Sequence, residues 1–229
     1  MAKPPRFSII IPSYDDGEFL LRNLPPLARD PCCEVLVVEA GSHSRLPAVC
    51  RVLKSPEANR AVQMNLGAKR ARGEILLFLH ADTLIDPESL DPLYQNLKKQ
   101  KKYVGGCFQF ALDHPSWRAR AMEVGVMLRE LFFRLPYGDQ ALFVRKEVFH
   151  ELGGFPLVPV MEDVLLIREL QKRGRLLYFH HRAVTSARKW VQRGFFRTMF
   201  ANWFAMFQLK RGVPLEQIAQ NRRELFIDG

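Results

Sequence analysis

The sequence predicts an α/β fold with a mostly parallel sheet and helices on both faces. Three segments contain short apolar runs rich in β-branched residues or leucine, a pattern typical of buried strands. These segments are 7–11, 34–42 and 74–82. Helix-length segments, 15–30 and 58–73, separate these runs. Because parallel strands need crossover connections, this order favours a parallel sheet covered on both sides.

Turn residues mark where these elements end. Pro12 bounds the first run, and Gly73 is expected to end the second helix, since glycine is common just past helix C-termini. Thr83 and Asp86 are the residues best placed to start the next helix.

The second half of the chain is less regular. Residues 105–113 alternate enough to form a strand, and 140–155 indicate a strand, a short helix and a glycine turn. Residues 161–174 are predicted to be a helix closed by Gly174, followed by a final strand at 175–181. We expect a single domain over 1–229, whose segment 194–229 is helical.

Composition sets limits on partners and location. The 229 residues are 48% hydrophobic, and the net charge of +10 implies an anionic partner: nucleic acid, acidic lipid headgroups or a phosphorylated small molecule. The four cysteines form no C-x-x-C pair, so a disulfide framework or zinc site is not expected. No apolar run has the length of a signal-peptide core or of the about eighteen residues that span a membrane. A cytoplasmic protein is therefore expected.

Acidic residues follow all three of the first strands. Ligands of open α/β sheets bind beyond the carboxyl ends of the strands, so Asp15 or Asp16, Glu39 and Asp82 should converge on one edge. The alternative is that these carboxylates only cap the helices that follow. Asp82 fits that alternative least, because residues after it are better placed as caps.

A second acidic pair opens the helix predicted at 161–174. Glu162 and Asp163 fall in its first turn. Their role could be limited to complementing the helix dipole, worth about 0.3–1 kcal/mol each.

Five ordered motifs add a resemblance to a known family. "FSIIIPSYDDGEFL", "EVLVVEAGS", "GEILLFLHADT", "GGF" and "MEDV" resemble the inverting family 2 glycosyltransferases, whose GT-A fold has a Rossmann-like, mostly parallel sheet. "NRAVQMNLGA", "LPYGDQALFVRK", "GGFPLVPVMEDV" and "TSARKW" resemble a bacterial subfamily described as radical-SAM/selenodomain-associated glycosyltransferases. The similarity spans residues 6–215.

The resemblance implies a nucleotide-diphospho-sugar donor, a UDP- or GDP-sugar, with Mn²⁺ or Mg²⁺ and a single displacement at the anomeric carbon. The family's D-x-D motif corresponds to His80, Ala81 and Asp82, so Asp82 is the implied metal ligand. A hard cation completes its shell with phosphate oxygens and water, so one carboxylate is sufficient. His80 departs from the family pattern; it could hydrogen-bond as a neutral imidazole or join the shell of Mn²⁺.

The resemblance also assigns the catalytic base, the carboxylate that takes the acceptor hydroxyl's proton. Asp163 matches that position, and Glu162 is the neighbouring choice. Because successive helical residues point about 100° apart, only one of the two can face the donor.

Further donor and acceptor contacts follow from the same motifs. The implied donor-binding residues are Pro12, Tyr14, Asp15, Asp16, Glu39, Arg60, Gln63, Asn65, His80, Ala81, Asp82, Arg188 and Lys189. Arg188 and Lys189 would stabilise charge on the leaving diphosphate. Asp139, Gln140 and Trp190 are the implied acceptor contacts, although Trp190 could serve only in packing, as Arg60 could be a solvated helix residue. The base, the sugar and the acceptor stay open.

Residues 194–212 form an aromatic segment with basic ends. Read as a helix, the segment suits an interfacial helix that meets anionic headgroups at the inner face of the cell membrane, which would fit a lipophilic acceptor. Packing on the body of the protein or on a second subunit of a homodimer is the alternative. Both are left open.

Three other functions fit less well. A sugar-nucleotide nucleotidyltransferase needs a glycine-rich basic loop after the first strand, where this chain has the acidic "PSYDDGEF". A nucleic-acid-binding module is not expected, because the basic residues are scattered and no aromatic-basic platform stands out. A catalytically silent homologue that binds nucleotide-sugars is disfavoured by the presence of Asp82, Asp163 and Arg188.

Overall fold

A computed structural model describes residues 4–41, 46 and 48–227. These residues form one eight-stranded sheet with the strand order β3-β2-β1-β4-β7-β6-β8-β5. The strands are β1 (Phe7–Ser13), β2 (Cys33–Glu39), β3 (Arg51–Lys54), β4 (Ile75–Phe78), β5 (Thr83–Ile85), β6 (Tyr103–Leu112), β7 (Leu142–Arg145) and β8 (Arg175–Thr185).

Nine α-helices are found within the described ranges, together with short 3₁₀ turns at Pro87–Ser89 and Gly138–Gln140. The helices are α1 (Gly17–Ala28), α2 (Arg60–Arg70), α3 (Leu90–Lys99), α4 (Trp117–Phe133), α5 (Lys146–Glu151), α6 (Glu162–Arg173), α7 (Arg188–Arg193), α8 (Phe195–Lys210) and α9 (Leu215–Ile227). Among the residues described, no helix combines the length and apolarity needed to cross a membrane.

Strand pairing confirms the predicted mostly parallel sheet. β1 lies parallel to β2 and β4, β2 is parallel to β3, and β6 is parallel to β8. The antiparallel pairs are β4–β7, β6–β7 and β5–β8. The first three predicted strands therefore pair as expected, while the second half adds the antiparallel pairs.

The two faces of the sheet bury separate cores, as the prediction of helices on both faces requires. Side chains alternate along β1, so Ile9 and Ile11 pack with Leu24 of α1, while Ile10 packs with Met64 of α2. Each of these five side chains is at most 3% exposed.

Two predicted boundaries were wrong. α2 ends at Arg70, and Gly73 instead lies where an added Cβ would approach the backbone of β1 too closely. Thr83 starts strand β5 rather than a helix, and the Asp86 side chain caps the following 3₁₀ turn by accepting the Glu88 N–H at 3.0 Å. Strands β3 and β5 were not predicted: each is short, and in β3 two of the four residues are charged and three are exposed.

Strand direction gathers several chain segments at one edge of the sheet. The parallel strands β1, β2 and β4 end there at Ser13, Glu39 and Phe78. Since β7 is antiparallel to both β4 and β6, β6 and its parallel partner β8 also end at this edge, at Leu112 and Thr185. The loops that follow these strands therefore lie close together.

A matched pair of glycine substitutions tests the sheet register. In Gly106→Ala on β6, the new Cβ would overlap the Leu177 carbonyl oxygen of β8, so we expect destabilisation of about 3 kcal/mol or more. Gly125→Ala in α4 meets nothing within 4 Å and should stabilise by about 0.5–1 kcal/mol. The measurement is the free energy of unfolding of both variants in urea. Equal values for the two variants would contradict the β6–β8 pairing.

Candidate active site

A cavity of about 600 Å³ opens at the edge where the strands end. Its wall combines the end of β1, the start of α2, the β4–β5 turn, the Gly138–Gln140 turn, the start of α6 and parts of α7, α8 and α9. The predicted site residues that line it are Pro12, Tyr14, Asp16, Arg60, Gln63, His80, Ala81, Asp82, Asp139, Glu162, Asp163, Lys189 and Trp190. The structure thus brings Asp82 and Asp163 to one cavity.

Asp82 lies in the turn between β4 and β5. Its carbonyl oxygen accepts the Ser186 N–H at 2.9 Å, which ties this turn to the chain leaving β8. The carboxylate is 9% exposed, and its Oδ2 lies 3.2 Å from Nζ of Lys189. Oδ1 makes no hydrogen bond to any residue that the structure describes, so this oxygen is available to a ligand in the cavity.

Beside Asp82, His80 is held as a neutral imidazole. Burial lowers its pKa well below the usual range, and the charges of Arg60 and Lys189 act in the same direction. An Arg60 guanidinium N–H donates to Nε2 of His80, which leaves the ring proton on Nδ1. A neutral ring here matches one of the two alternatives expected from the sequence.

Asp163 is fixed by two backbone donors at the start of α6. Its Oδ2 accepts the Gly138 N–H at 2.6 Å, and its Oδ1 accepts the Val164 N–H at 2.8 Å. Met161, just before α6, has φ of 65°, an uncommon backbone conformation for a residue with a side chain. An added Cβ on Gly138 would lie 3.1 Å from Oδ2 of Asp163, so glycine allows the close approach.

The neighbouring carboxyls are less readily ionised. Burial raises the pKa of Glu162; Arg60, whose Nε is 3.6 Å from Oε1 of Glu162, opposes this shift, and the charge of Asp163 adds to it. Burial likewise raises the pKa of Asp139, opposed by Arg129 and reinforced by Asp163. Close carboxyls therefore make this part of the cavity favourable for a bound cation.

Gln63 and Trp190 line the cavity and also hold neighbouring parts of the fold in place. The Gln63 amide donates to the carbonyl oxygens of Ser13 at 2.8 Å and Val38 at 2.7 Å, which joins the ends of β1 and β2. Trp190 is 9% exposed and packs against Phe110, with ring centroids 6.1 Å apart. The packing alternative raised for Trp190 is therefore part of its role.

Two residues predicted to contact the nucleotide lie behind the cavity wall. The Glu39 carboxylate is buried and accepts from the Ser13 hydroxyl at 2.7 Å and from the N–H groups of Asp15 and Gly41. Asp15 has φ of 56° and its side chain packs against Gly41. Both residues shape the loop after β1, a role that a carboxylate at a strand end can have without touching a ligand.

Asn65, Gln140 and Arg188 also lie outside the cavity wall, contrary to expectation. Asn65 bridges to the backbone of Phe155, with both hydrogen bonds at 2.8 Å. Gln140 is fully buried and accepts from Arg129 and from the Tyr137 N–H, each at 2.9 Å.

Arg188 was expected to grip a diphosphate, but its guanidinium stacks over the ring of Phe19 at 4.7 Å. Its neighbour Lys189 faces the cavity instead, because consecutive helical residues point about 100° apart. Of the two cations assigned to the diphosphate, Lys189 therefore lines the cavity and Arg188 does not.

Several cavity residues were missed by the sequence reasoning. Arg193 follows Lys189 at the end of α7, and Arg222 of α9 donates to Oδ1 of Asn202 on α8 at 2.7 Å. Burial lowers the pKa of Arg222, and the charge of Asp163 opposes this shift. Arg193 was considered only as a basic end of the aromatic segment and Arg222 was not singled out; the packing of α7 and α9 brings them to the cavity.

The donor set limits how a metal ion could be held. Within the described ranges, no group of three or more His, Cys, Asp or Glu side chains is arranged to bind a metal. Asp82 lines the cavity, and its Oδ1 makes no hydrogen bond to the residues that the structure describes. The site therefore fits a cation that takes most of its ligands from a bound diphosphate and water, as Mg²⁺ and Mn²⁺ do.

Comparison with known proteins identifies the family. Residues 8–159 match the model of the family described as glycosyl transferase family 2, which covers more than half of the chain. The chain belongs to this family and is a glycosyltransferase, so the nucleotidyltransferase alternative is not supported. The match includes Asp82 and ends before Asp163.

One curated relative is the O-antigen biosynthesis protein RfbC of Myxococcus xanthus. It is 28% identical in an alignment that covers 66% of this chain and 14% of that protein. The chain thus spans only a small part of the relative that it matches.

Solved structures share the fold. Mannosyltransferase PcManGT from Pyrobaculum calidifontis, in complex with GDP-Man and Mn²⁺, has a TM-score of 0.64 at 16% identity, covering 97% of this chain and 70% of that one. S. aureus TarS 1–349 in complex with UDP-GlcNAc has a TM-score of 0.57 at 17% identity, covering 79% and 58%. The predicted GT-A fold is confirmed.

Substitution of Glu162 tests the electrostatics of the cavity. Its folded-state pKa is raised, so the ionised form destabilises the fold at neutral pH, and this cost disappears as pH falls through the raised pKa. Glu162→Gln should therefore increase the free energy of unfolding at pH 7.5, by about 1 kcal/mol, and the gain should shrink by pH 5.

The matched control is Glu169→Gln, which changes an exposed carboxylate of the same helix. We expect it to alter stability by less than about 0.5 kcal/mol at both pH values. Urea unfolding of the three proteins at pH 7.5 and pH 5 is the measurement. A Glu162→Gln variant less stable than wild type at pH 7.5 would contradict the assigned direction.

Proposed function

We propose that this glycosyltransferase moves a sugar from a nucleotide-diphospho-sugar to an acceptor hydroxyl, with inversion at the anomeric carbon and with the help of a divalent metal ion. The observation that carries the proposal is that the carboxylates of Asp82 and Asp163 line one cavity at the ends of the parallel strands. In this proposal Asp82 acts on the diphosphate of the donor, and Asp163 acts on the hydroxyl of the acceptor.

The donor is proposed to be a UDP- or GDP-sugar. PcManGT and TarS, which share the fold, are seen in complex with GDP-Man and UDP-GlcNAc. In this chain Pro12 at the end of β1, and Tyr14 and Asp16 just after it, line the cavity where the nucleotide of an open α/β sheet is expected. Gln63 holds the strand ends that support this loop.

Asp82 is proposed to hold Mn²⁺ or Mg²⁺ through its free Oδ1, together with the diphosphate oxygens of the donor. When bound, such a cation neutralises charge that develops on the leaving diphosphate. Lys189, now 3.2 Å from Asp82, and Arg193 add fixed positive charge on the same wall. A bound diphosphate would compete with the Asp82 carboxylate for the Lys189 ammonium group, because both anions accept charge-assisted hydrogen bonds.

Asp163 is proposed to be the general base. As the acceptor oxygen attacks the anomeric carbon, its proton passes to the Asp163 carboxylate, and the bond to the diphosphate oxygen breaks as the new C–O bond forms. The N–H groups of Gly138 and Val164 hold this carboxylate in a fixed orientation. Glu162 is the weaker candidate, because its carboxylate is already paired with Arg60.

The proposed acceptor site is based on which predicted residues line the cavity. Asp139 and Trp190, on the cavity wall, are the proposed acceptor contacts, and the acceptor is proposed to be lipophilic. Membership of the radical-SAM/selenodomain-associated subfamily, a single-domain organisation and a location at the inner face of the cell membrane stay predictions, as does a homodimer.

Two substitutions separate the roles of the two carboxylates. In the presence of Mn²⁺, a UDP- or GDP-sugar at about 100 times the Kd of the donor should raise the melting temperature of wild type by about 5–10 °C. Asp82→Ala should lose this shift, as should wild type in EDTA. Asp163→Asn should keep the shift while donor turnover falls by about 10²–10⁴-fold.

The control is Asp91→Asn, which changes an exposed carboxylate on α3 and should leave both the shift and the turnover near wild type. An undiminished metal-dependent shift in Asp82→Ala would refute the metal role. Full turnover in Asp163→Asn would refute its role as the base.

A further inference from the structure

Helices α4 and α8 together carry an exposed apolar surface. Of the eighteen large hydrophobic side chains that are exposed in the described residues, eleven lie on these two helices. The exposure is therefore concentrated, and concentrated apolar surface usually marks a contact site. We call this surface the α4–α8 face; its members are Trp117, Val124, Met127, Leu128, Leu131, Phe132, Phe196, Met199, Phe200, Trp203 and Phe207.

On α4 the exposed side chains form a row along one side. Trp117, Val124, Leu128 and Leu131 fall within about 60° of one another at 100° per residue. The opposite side of the helix is buried through side chains such as Met122. A helix that is apolar on both sides is normally buried on both sides. We therefore expect another molecule to cover the exposed apolar row of α4.

On α8 the exposed side is aromatic. Phe196, Phe200 and Trp203 are each more than half exposed. The Trp203 and Phe207 rings stack with centroids 5.8 Å apart. The rings of Trp117 and Phe196 lie 6.4 Å apart, which joins the two helices into one continuous surface.

Charge around the α4–α8 face is positive. Helix α8 has no acidic residue. On α4, Glu123 is engaged by Arg120 at 2.7 Å and Arg182 at 3.1 Å, and Glu130 hydrogen-bonds to the buried Gln140. Both carboxylates of α4 are thus paired with arginines or turned inward.

Exposed arginines mark two places on the rim of the face. The Arg118 guanidinium lies 5.6 Å from the Trp117 ring centroid, and that of Arg211 lies 4.7 Å from the Phe207 ring centroid. Aromatic side chains beside basic ones are the composition of a helix at the membrane–water interface. Anionic headgroups would meet the arginines while the apolar side chains enter the lipid.

A second copy of the chain fits this surface less well. A twofold interface places each patch against itself, so the arginines of the two copies would lie in the same interface without acidic partners. An anionic bilayer supplies the opposite charge. The surface charge therefore favours lipid over self-association.

The position of α8 links this surface to the cavity. Thr198 and Asn202 on α8 line the cavity, whereas Met199, Trp203 and Phe207 face solvent. At 100° per residue the mean directions of these two sets of side chains are about 120° apart. One helix, about 10 Å in diameter, thus separates the cavity from the α4–α8 face.

We infer that the α4–α8 face docks the enzyme on an anionic lipid bilayer, with α4 contributing as much apolar surface as the aromatic helix α8. Under the proposed function, an acceptor anchored in that bilayer would reach the cavity around a single helix.

Vesicle binding tests this inference without any activity measurement. Full-length protein is sedimented with phosphatidylcholine vesicles, with or without about 30% phosphatidylglycerol, at low and high salt. We expect at least tenfold stronger binding to the anionic vesicles, weakened by salt, and a blue shift of tryptophan emission as Trp117 and Trp203 leave water.

Leu131→Glu with Trp203→Glu should weaken vesicle binding by at least tenfold. The matched control, Leu21→Glu with Leu84→Glu, changes two exposed apolar side chains on other elements and should bind like wild type. The donor-induced melting shift, measured in parallel without lipid, should be unchanged in both. A failure of donor binding is thereby distinguished from a failure of docking.

Absence of wild-type binding to anionic vesicles would overturn the inference, as would equal binding by the Leu131→Glu, Trp203→Glu protein. Light scattering without lipid provides the remaining comparison. A wild-type dimer that this double variant dissociates, with no vesicle binding, would assign the face to a second copy of the chain instead.

Discussion

The site depends on the collection of carboxylates at one edge of the sheet. Asp16, Asp82, Asp139, Glu162 and Asp163 share a cavity with four cationic side chains from α2, α7 and α9. Close carboxyls are costly unless they are paired with cations. Burial raises the pKa values of Glu162 and Asp139, the charge of Asp163 adds to both shifts, and Asp82 is paired with Lys189. A ligand that brings both a metal cation and a diphosphate fits that mixed charge.

Sequence patterns were informative where one local rule decided the structure. The β-branched run at Phe7–Ser13 and the buried run at Ile75–Phe78 became neighbouring parallel strands, and the rule that ligands lie beyond strand ends placed Asp82 in the cavity. Asp163 was predicted to lie in the first turn of a helix, and its place in the same site as Asp82 came from the family resemblance, not from the strand-end rule.

The remaining site residues depended on packing that no local pattern records. Glu39 ends a strand as predicted, yet its carboxylate turns to the Ser13 hydroxyl and the loop N–H groups. Arg188 and Lys189 were both assigned to the diphosphate, but about 100° of helix rotation separates them and only Lys189 lines the cavity. Arg222 reaches the cavity only through α9, and neither α4 nor its exposed apolar row was predicted from the sequence.

A crystal structure with Mn²⁺ and a nucleoside diphosphate tests the central claim, that Asp82 and Asp163 serve one reaction site, most directly. The account predicts an anomalous Mn²⁺ peak bonded to a carboxylate oxygen of Asp82 at about 2.2 Å and to diphosphate oxygens, with the Asp163 carboxylate facing the open side of the diphosphate. A metal–diphosphate complex bound elsewhere, or one that leaves Asp82 paired only with Lys189, would contradict it.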